Sequence, residues 1–313
     1  MATVTPLHLL TLYRHRKKVL WTNTELFLMR GFQQIITSVG IESMVGSREW
    51  FSQALAPNNL QVSAFGQVGL ENQGARLNWL LPLGFTESDP LPELLDNLAM
   101  EAGLRGTKFI TASARVDDCL FETLRRAGYC LFGWQSIWEL PRFIHNSTES
   151  TQISWVKPDS AGAVELTLLQ RKLLSPATQS ITAFATQALP DFALRIDGAL
   201  KGYARVSCFN NKVLITPFFM KTSDDLECIL AALAAEYFST AEVIYLLQTA
   251  DSGWLTVDLE KIATRLTPRE ELLVKHFAVM QKLPAADLNH SANRHRADTA
   301  TPMIPSVKRK DNI

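Results

Sequence analysis

The stretch Ala75-Arg-Leu-Asn-Trp-Leu-Leu-Pro82 occurs, in character, a second time in this chain. The stretch Lys212-Val-Leu-Ile-Thr-Pro-Phe-Phe219 has the same apolar character, and the same predicted elements follow it. Each stretch is predicted to be a strand that is followed by a helix, a second strand, a second helix and a third strand. The first of these helices is expected to begin near Leu91 in one copy and near Asp225 in the other. Corresponding elements are separated by nearly the same interval, so we predict two related domains in tandem.

The composition is that of an ordinary globular protein with room for two cores. The chain has 313 residues, of which 47% are hydrophobic and 20% are charged, and one compact core usually takes about 150 residues. Lys plus Arg and Asp plus Glu are equal at 31 each, so the formal net charge is zero. A chain without an excess of either sign is not expected to bind nucleic acid.

The cysteines and the lengths of the apolar runs indicate the cellular compartment of the protein. The four cysteines stand well apart, with no histidine at the spacing of a metal site: Cys119, Cys130, Cys208 and Cys228. This pattern predicts reduced, buried thiols and no bound metal. No apolar run approaches the length of about 20 residues that spans a bilayer, and the first residues lack the pattern of a signal peptide. We therefore expect a cytoplasmic protein with no membrane partner.

Local patterns predict the elements of the first copy. The segments 61–68 and 76–83 are expected to form a hairpin, since Gly, Asn and Gln separate them. The segment 91–104 has apolar residues at helical spacing, which is typical of a helix that lies on a sheet. A further helix is predicted around 47–55, and a long closing strand over 129–140.

These elements predict an α+β fold in which each domain is a mixed, mostly antiparallel sheet flanked by helices. The domains are expected at 1–144 and 153–284, joined by a polar linker at 145–152, with a disordered tail at 285–313. A doubly wound nucleotide-binding domain is the alternative fold. It requires a glycine-rich turn after its first strand, and no GxGxxG sequence occurs in the chain.

The order of elements resembles that of the GNAT acetyltransferase superfamily. The stretch Phe121-Glu-Thr-Leu-Arg-Arg-Ala-Gly-Tyr129 is similar to the helix of that family that ends in glycine and an aromatic residue. Gly66-Gln-Val68 resembles the glycine-containing strand that precedes the cofactor strand, and Gly202-Tyr-Ala-Arg-Val206 takes the same place in the second copy. The resemblance covers about residues 7–140 well and 153–283 more weakly.

The resemblance implies an acyltransferase that takes acetyl-CoA as co-substrate and a small-molecule or peptide amine as acceptor. In this family the cofactor arm enters where two parallel strands diverge, and its pyrophosphate lies on amides at the following helix N-terminus. By position, this implies cofactor contacts at Leu81, Leu83, Phe85 and Ser88. The first domain would hold the cofactor, and the second, more degenerate domain would cover or complete the acceptor site.

The loops depart from the family pattern. Where the family has glycines before the helix, this chain has Glu87-Ser-Asp-Pro-Leu-Pro92, in which both glycine positions are proline. Proline offers no N–H, and Glu87 and Asp89 bring negative charge toward an anion. A simpler interpretation is that Ser88 or Asp89 caps the helix. In the second copy, Met220-Lys-Thr-Ser-Asp-Asp-Leu-Glu227 also lacks glycine.

The residues for proton transfer are altered as well. Many family members use a tyrosine, four residues before the helix-ending glycine, to protonate the departing thiolate. Leu124 has that place in the first copy, and a leucine, Leu259, recurs in the second. The sequence therefore leaves two hypotheses open. One is an active N-acetyltransferase, and the other is a catalytically inactive ligand-binding or interaction module on the same scaffold.

Overall fold

The computed structural model describes residues 2–45, 47–56, 62–71, 73–83, 89–141, 152–159, 162–185, 189–221, 226–237 and 239–277. All of them fall within one compact unit. Among the described helices, none is long and apolar enough to cross a membrane.

The N-terminal half contains seven of the described strands and four of the described helices. The strands are β1 (Ala2–Thr3), β2 (Leu20–Trp21), β3 (Trp50–Leu55), β4 (Ala64–Glu71), β5 (Gly74–Pro82), β6 (Phe109–Ala114) and β7 (Cys130–Leu140). The helices are α1 (Pro6–Arg14), α2 (Thr24–Val45), α3 (Leu91–Leu104) and α4 (Cys119–Arg126). A left-handed backbone at Gly31, with φ of 72°, interrupts α2.

The C-terminal half repeats this order. Its strands are β8 (Ile153–Val156), β9 (Phe192–Ile196), β10 (Ala199–Phe209), β11 (Lys212–Phe219), β12 (Val243–Thr249), β13 (Thr264–Arg265) and β14 (Glu270–His276). Its helices are α5 (Ala163–Leu173), α6 (Pro176–Ala185), α7 (Leu226–Ala234) and α8 (Thr256–Ile262). The predicted mixed sheet with flanking helices is confirmed.

Most element predictions hold, and the exceptions have physical reasons. The helix over 91–104 and the hairpin of β4 with β5 are confirmed. The helix predicted around 47–55 is wrong, because Trp50–Leu55 is a strand that pairs along its whole length with β4. Both faces of this strand are buried, with Phe51 and Leu55 in one core and Ala54 in another, so its apolar residues do not alternate as they would in a strand with one exposed face. Two further helices, α2 and α6, were not predicted.

The two halves share one continuous sheet through an exchange of strands. The order is β1-β3-β4-β5-β6-β14-β7-β12-β11-β10-β9-β8, with β2 beside β5 and β13 beside β7. Thus β14 of the C-terminal half lies between β6 and β7, and β7 of the N-terminal half lies between β14 and β12. Residue 144 and the predicted tail at 285–313 fall outside the described residues, and the predicted domain boundaries at 144 and 153 remain a prediction.

The cores follow the same exchange. Leu273 of β14 is fully buried in the N-terminal core under α3, among side chains of β5 and β6. Trp138 of β7 is buried in the C-terminal core beneath α7, and its indole Nε1 donates to the Gln248 side-chain oxygen at 2.9 Å. Trp138 therefore packs into the core of the other half. Each half completes its core with a strand of the other.

Helices also cross between the halves on the opposite face of the sheet. Met29 of α2 packs on Leu214 and Leu247 of the C-terminal half. Ile181 of α6 packs on Phe109 and on β14, beside the N-terminal strands. Since successive side chains of a strand point to opposite faces, this layer is separate from the α3 and α7 cores. The space between α2 and α6 contains the candidate site.

Candidate functional site: two diverging strand pairs and a shared cavity

In the N-terminal half, the central parallel strands diverge where the family resemblance places a cofactor cleft. β5 pairs with β6 only at Gly74 with Phe109, Ala75 with Ile110, and Arg76 with Thr111. Beyond Arg76 the two strands have no common register. The remaining part of β5 still pairs on its other side with β4, through Pro82 opposite Ala64. The gap therefore opens on one edge of β5.

The chain's own N-terminal segment occupies this gap. β2 pairs antiparallel with β5, with Leu20 opposite Leu80 and Trp21 opposite Trp79. The next residue, Thr22, donates its N–H to the Asn78 carbonyl at 3.2 Å and accepts the Ser113 N–H at 2.9 Å. Its side chain donates to the Leu77 carbonyl at 2.8 Å. The backbone edges that an acyl arm would need at Asn78–Leu80 are thus already used.

Two of the four predicted cofactor residues, Leu81 and Leu83, lie at the outer end of this gap. Leu81 is fully buried among side chains of α1, α2 and β4. Leu83 is half-buried beside the same cluster, and its N–H donates to the Ser63 carbonyl at 2.8 Å. Phe85 and Ser88 lie outside the described residues. Cofactor contact at these four positions remains a prediction.

The start of α3 favours the capping interpretation over an anion site. The Asp89 carboxylate accepts the N–H of Leu91 at 3.0 Å, so one of the few free amides at this helix end has a partner. Pro90 and Pro92 have no N–H to offer. A phosphate here would meet a carboxylate instead of a set of amides.

The positions of the expected acid are both buried leucines. Leu124 and Leu259 are fully buried in the two cores. Tyr129 is also fully buried, and its hydroxyl has no hydrogen-bond partner among the described residues. Burial, with a smaller contribution from Asp96, raises the pKa of Tyr129 far above its usual value. None of the three can donate a proton to a departing thiolate in a cleft.

In the C-terminal half, the equivalent gap is open. β11 and β12 pair in parallel from Lys212 with Val243 to Ile215 with Leu246, and then diverge. No described segment pairs with Thr216–Phe219 on the side that faces β12. Ser175, the residue before α6, donates its N–H to the Asp251 carboxylate at 2.8 Å, just beyond the end of β12, and forms no described backbone bond to β11.

A cavity of about 380 Å³ lies beside this open gap, between α2 and α6. Its lining comes from both halves and includes residues of both diverging strands. Side chains at the C-terminal end are Arg205, Ser207, Thr216, Phe218, Thr249 and Asp251, and those at the N-terminal end are Glu25, Glu71, Arg76, Thr111, Trp134 and Gln135. A volume of this size lies in the range of small-molecule sites, which is about 300–1,000 Å³.

The two arginines that line the cavity differ in whether a carboxylate balances their charge. Arg76 donates to the Glu25 carboxylate at 2.5 Å. Burial lowers the Arg76 pKa, but Glu25 more than offsets this effect, so the pKa of Arg76 is raised. Arg205 has no such carboxylate partner among the described residues, and burial lowers its pKa. Within the described residues, no group of three or more acidic, cysteine or histidine side chains could hold a metal.

Comparisons with known proteins give structural likeness only. No family model and no curated protein matches the chain. A solved tandem GNAT protein from the clavulanic acid biosynthesis pathway is 13% identical, with 72% of this chain and 82% of that chain covered at a TM-score of 0.44. A GCN5-related N-acetyltransferase from Sphaerobacter thermophilus is 10% identical, with 88% and 94% covered at a TM-score of 0.49.

A GNAT-family acetyltransferase from Colwellia psychrerythraea is 11% identical, with 88% of this chain and 99% of that chain covered at a TM-score of 0.43. The observed elements of both halves follow the order that the sequence resemblance predicted, and the central parallel pair diverges in both. The fold is similar to that of these solved GNAT proteins, one of which is a tandem GNAT protein. The two halves differ in one respect that matters for binding: among the described residues, Thr22 bridges the gap of the first half, and no segment forms backbone hydrogen bonds across the gap of the second, which is called the open gap.

Proposed function

We propose that this protein is an N-acyltransferase that takes acetyl-CoA, or another acyl-CoA, and transfers the acyl group to the amine of a small molecule or peptide. The acyl arm lies in the gap between β11 and β12. The observation that carries this proposal is the contrast between the two gaps. Thr22 bridges the first by backbone hydrogen bonds, whereas no described segment forms such bonds to Thr216–Phe219 on the side that faces β12, where Trp254 packs edge-on against Phe219.

The open gap has backbone groups that can form hydrogen bonds with an amide-containing arm. The unpaired backbone edge of Thr216–Phe219 can form strand-like hydrogen bonds, apart from Pro217, which has no N–H. The cavity beside the gap brings the acceptor amine to the thioester carbonyl. A C–N bond forms as the C–S bond breaks, the amine loses a proton to water, and water protonates the thiolate. Positioning supplies the rate enhancement in this scheme, since leucines have the places of the acid.

Binding of the donor is tested by thermal unfolding with millimolar acetyl-CoA. Free ligand at about 100 times its dissociation constant should add roughly 2.7 kcal/mol to the free energy of unfolding. Thr216→Trp, which fills the gap side of the cavity, should remove this effect. The matched control is Thr111→Trp, which lines the same cavity at its N-terminal end and should keep it. Equal stabilisation of both variants would contradict the assignment to the β11–β12 gap.

A second candidate function is a catalytically inactive binding module on the same scaffold. The buried Leu124 and Leu259 and the capped start of α3 favour it. The two candidates are distinguished by the release of free CoA thiol in the presence of acetyl-CoA and a panel of amines. Stabilisation by acetyl-CoA without any release of thiol would favour the binding module.

A further inference from the structure

The two arginines that line the central cavity differ in how their charge is balanced. Arg76 is held by Glu25, which α2 places within hydrogen-bond distance. Arg205 lies on β10 opposite Thr216 of β11, the first residue beyond the last parallel pair of the open gap. It makes no ion pair or hydrogen bond among the described residues. The cavity therefore has one neutralised cation at its N-terminal end and one unneutralised cation at its C-terminal end.

A half-buried guanidinium without a partner is an unusual arrangement. Removal of a charge from water costs free energy unless an opposite charge or hydrogen bonds replace the water. Arg205 bears this cost, as the effect of burial on its pKa shows, and Tyr203 and Asp191 offset it only in part. Arginine has five donors in a planar fork that matches a carboxylate or phosphate. The geometry at Arg205 is thus complementary to an anionic group.

The same end of the cavity also has an acidic group. Asp251 accepts one hydrogen bond, from the Ser175 N–H, and has no cationic partner among the described residues. Glu71 adds a second carboxylate at the other end. A ligand with one anionic group and one amine would match both signs of charge within about 380 Å³.

We propose that the central cavity binds the acceptor as a small molecule with a primary amine and an anionic group, and that Arg205 holds the anionic group. The role of this ligand as the acyl acceptor rests on the proposed function, whereas the binding site itself does not depend on acyl transfer. The anionic group can be a carboxylate or a phosphate, since both fit the guanidinium fork. The amine faces the carboxylates of the cavity and the acyl arm in the neighbouring gap.

Calorimetric titration of the full chain, without acyl-CoA, tests the site. The probes are L-alanine and L-phenylalanine, their C-terminal amides, and O-phosphoethanolamine. The amides keep the amine and lose the carboxylate, so they should bind at least roughly tenfold more weakly than the amino acids, as expected for loss of a charged hydrogen bond. Tighter binding of O-phosphoethanolamine than of both amino acids would identify phosphate as the preferred group.

Substitutions of Arg205 test whether the probes bind at this arginine. Arg205→Gln should weaken binding of the best probe by roughly tenfold or more, and Arg205→Lys should restore part of it. Arg195→Gln is the matched control, because Arg195 lies on the neighbouring strand β9 and pairs with Glu165 on the surface. It should bind as the wild type does. The comparison of acid with amide uses the wild-type chain, so it stands even if a variant does not fold.

The outcomes separate this inference from the proposed function. Equal affinity of acid and amide, or no binding of any probe at millimolar concentration, overturns the role of Arg205. If acetyl-CoA binds and Arg205→Gln does not change probe affinity, the proposed function stands and this inference is wrong. If probes bind through Arg205 and acetyl-CoA does not bind, the site remains as that of a binding module.

Discussion

The carbonyl of Thr22 accepts hydrogen bonds from both the backbone N–H and the hydroxyl of Ser113, at 2.9 and 3.2 Å. On its other side, Thr22 is bound to β5 through the Asn78 carbonyl and the Leu77 carbonyl. One residue of the N-terminal segment therefore joins the two strands that diverge in the first half. This bridge distinguishes the closed first gap from the open second gap.

The bridge predicts a measurable cost for loss of the Thr22 hydroxyl. Thr22→Val keeps the shape of the side chain and removes the donor to the buried Leu77 carbonyl. Since a buried acceptor is then unsatisfied, the free energy of unfolding should fall by about 1–3 kcal/mol. Urea denaturation measures this change. Thr167→Val is the control, because its hydroxyl donates to the Ala163 carbonyl on an exposed helix face, and its effect should stay within about 0.5 kcal/mol.

Gly202 is predicted to tolerate no side chain. A Cβ at this position would lie 2.3 Å from the Phe219 Cβ and 2.7 Å from the Phe218 carbonyl oxygen. These atoms belong to the paired strand β11, so Gly202→Ala should force backbone movement and cost about 1–3 kcal/mol or more. Thermal unfolding measures the loss.

Gly66 and Gly133 provide graded comparisons for this prediction. At Gly66 the nearest atom to an added Cβ is the end of the Leu98 side chain at 2.7 Å, which can move, so Gly66→Ala should cost less than Gly202→Ala. At Gly133 the nearest atom is at 3.7 Å, so Gly133→Ala should cost least. A different order of the three melting temperatures would contradict the packing around β10 and β11.

The exchange of strands predicts that neither half folds alone as a stable monomer. Without β14, the N-terminal half would expose the facing edges of β6 and β7 and lose Leu273 from its core. Exposed strand edges associate with other chains. A fragment of residues 1–144 should therefore aggregate or self-associate in size-exclusion chromatography, and coexpression with residues 153–313 should restore a soluble complex.

Unfolding of the full chain should reflect the same coupling. Because each core contains a strand of the other half, calorimetry should give a single transition rather than two. Two resolved transitions, or a soluble monomeric 1–144 fragment with native circular dichroism, would contradict this prediction.

Two thiols are predicted to react slowly. The predicted burial of the thiols is wrong for Cys119 and Cys208, which are both exposed. Partial burial, with a contribution from Asp118, still raises the pKa of Cys119, and partial burial with a contribution from Asp191 raises that of Cys208. The thiolate is the reactive form, so its fraction at pH 8 is below that of an ordinary cysteine. Iodoacetamide should label both residues more slowly than it labels glutathione at pH 8, with the rates still rising above pH 9. Mass spectrometry of digested samples measures the rates, and labelling in urea is the control.

The fold was largely readable from local patterns, and particular residues show why. The apolar spacing of α3 predicted a helix with the observed ends at Leu91 and Leu104. The turn at Asp197-Gly198 has positive φ at both residues, which is the chemistry of a two-residue hairpin. By contrast, Trp50–Leu55 became a strand because β4 pairs with it, and no pattern within the segment contains that information.

The candidate site was harder to predict from the sequence, for a related reason. Arg205, Asp251 and Thr111 are far apart in the sequence and belong to no motif, yet the exchange of β7 and β14 brings their strands to one cavity. The only signal was indirect, since Gln248 and Asp251 follow a predicted parallel strand. The resemblance directed attention to Leu81–Ser88 in the first half, where Thr22 now lies beside the strand edge.

Periodicity and turn chemistry were sufficient for the elements, their order and the repetition of that order, because these depend on neighbours a few residues apart. The partners of each strand edge were decided by the folded chain. Thr22 lies in the first gap because hydrogen bonds to Asn78 and Ser113 satisfy its backbone there, and the Ser175 N–H is satisfied by the Asp251 carboxylate instead of by β11. Such bonds join residues many tens of positions apart, and their strength depends on burial that exists only after the sheet has assembled.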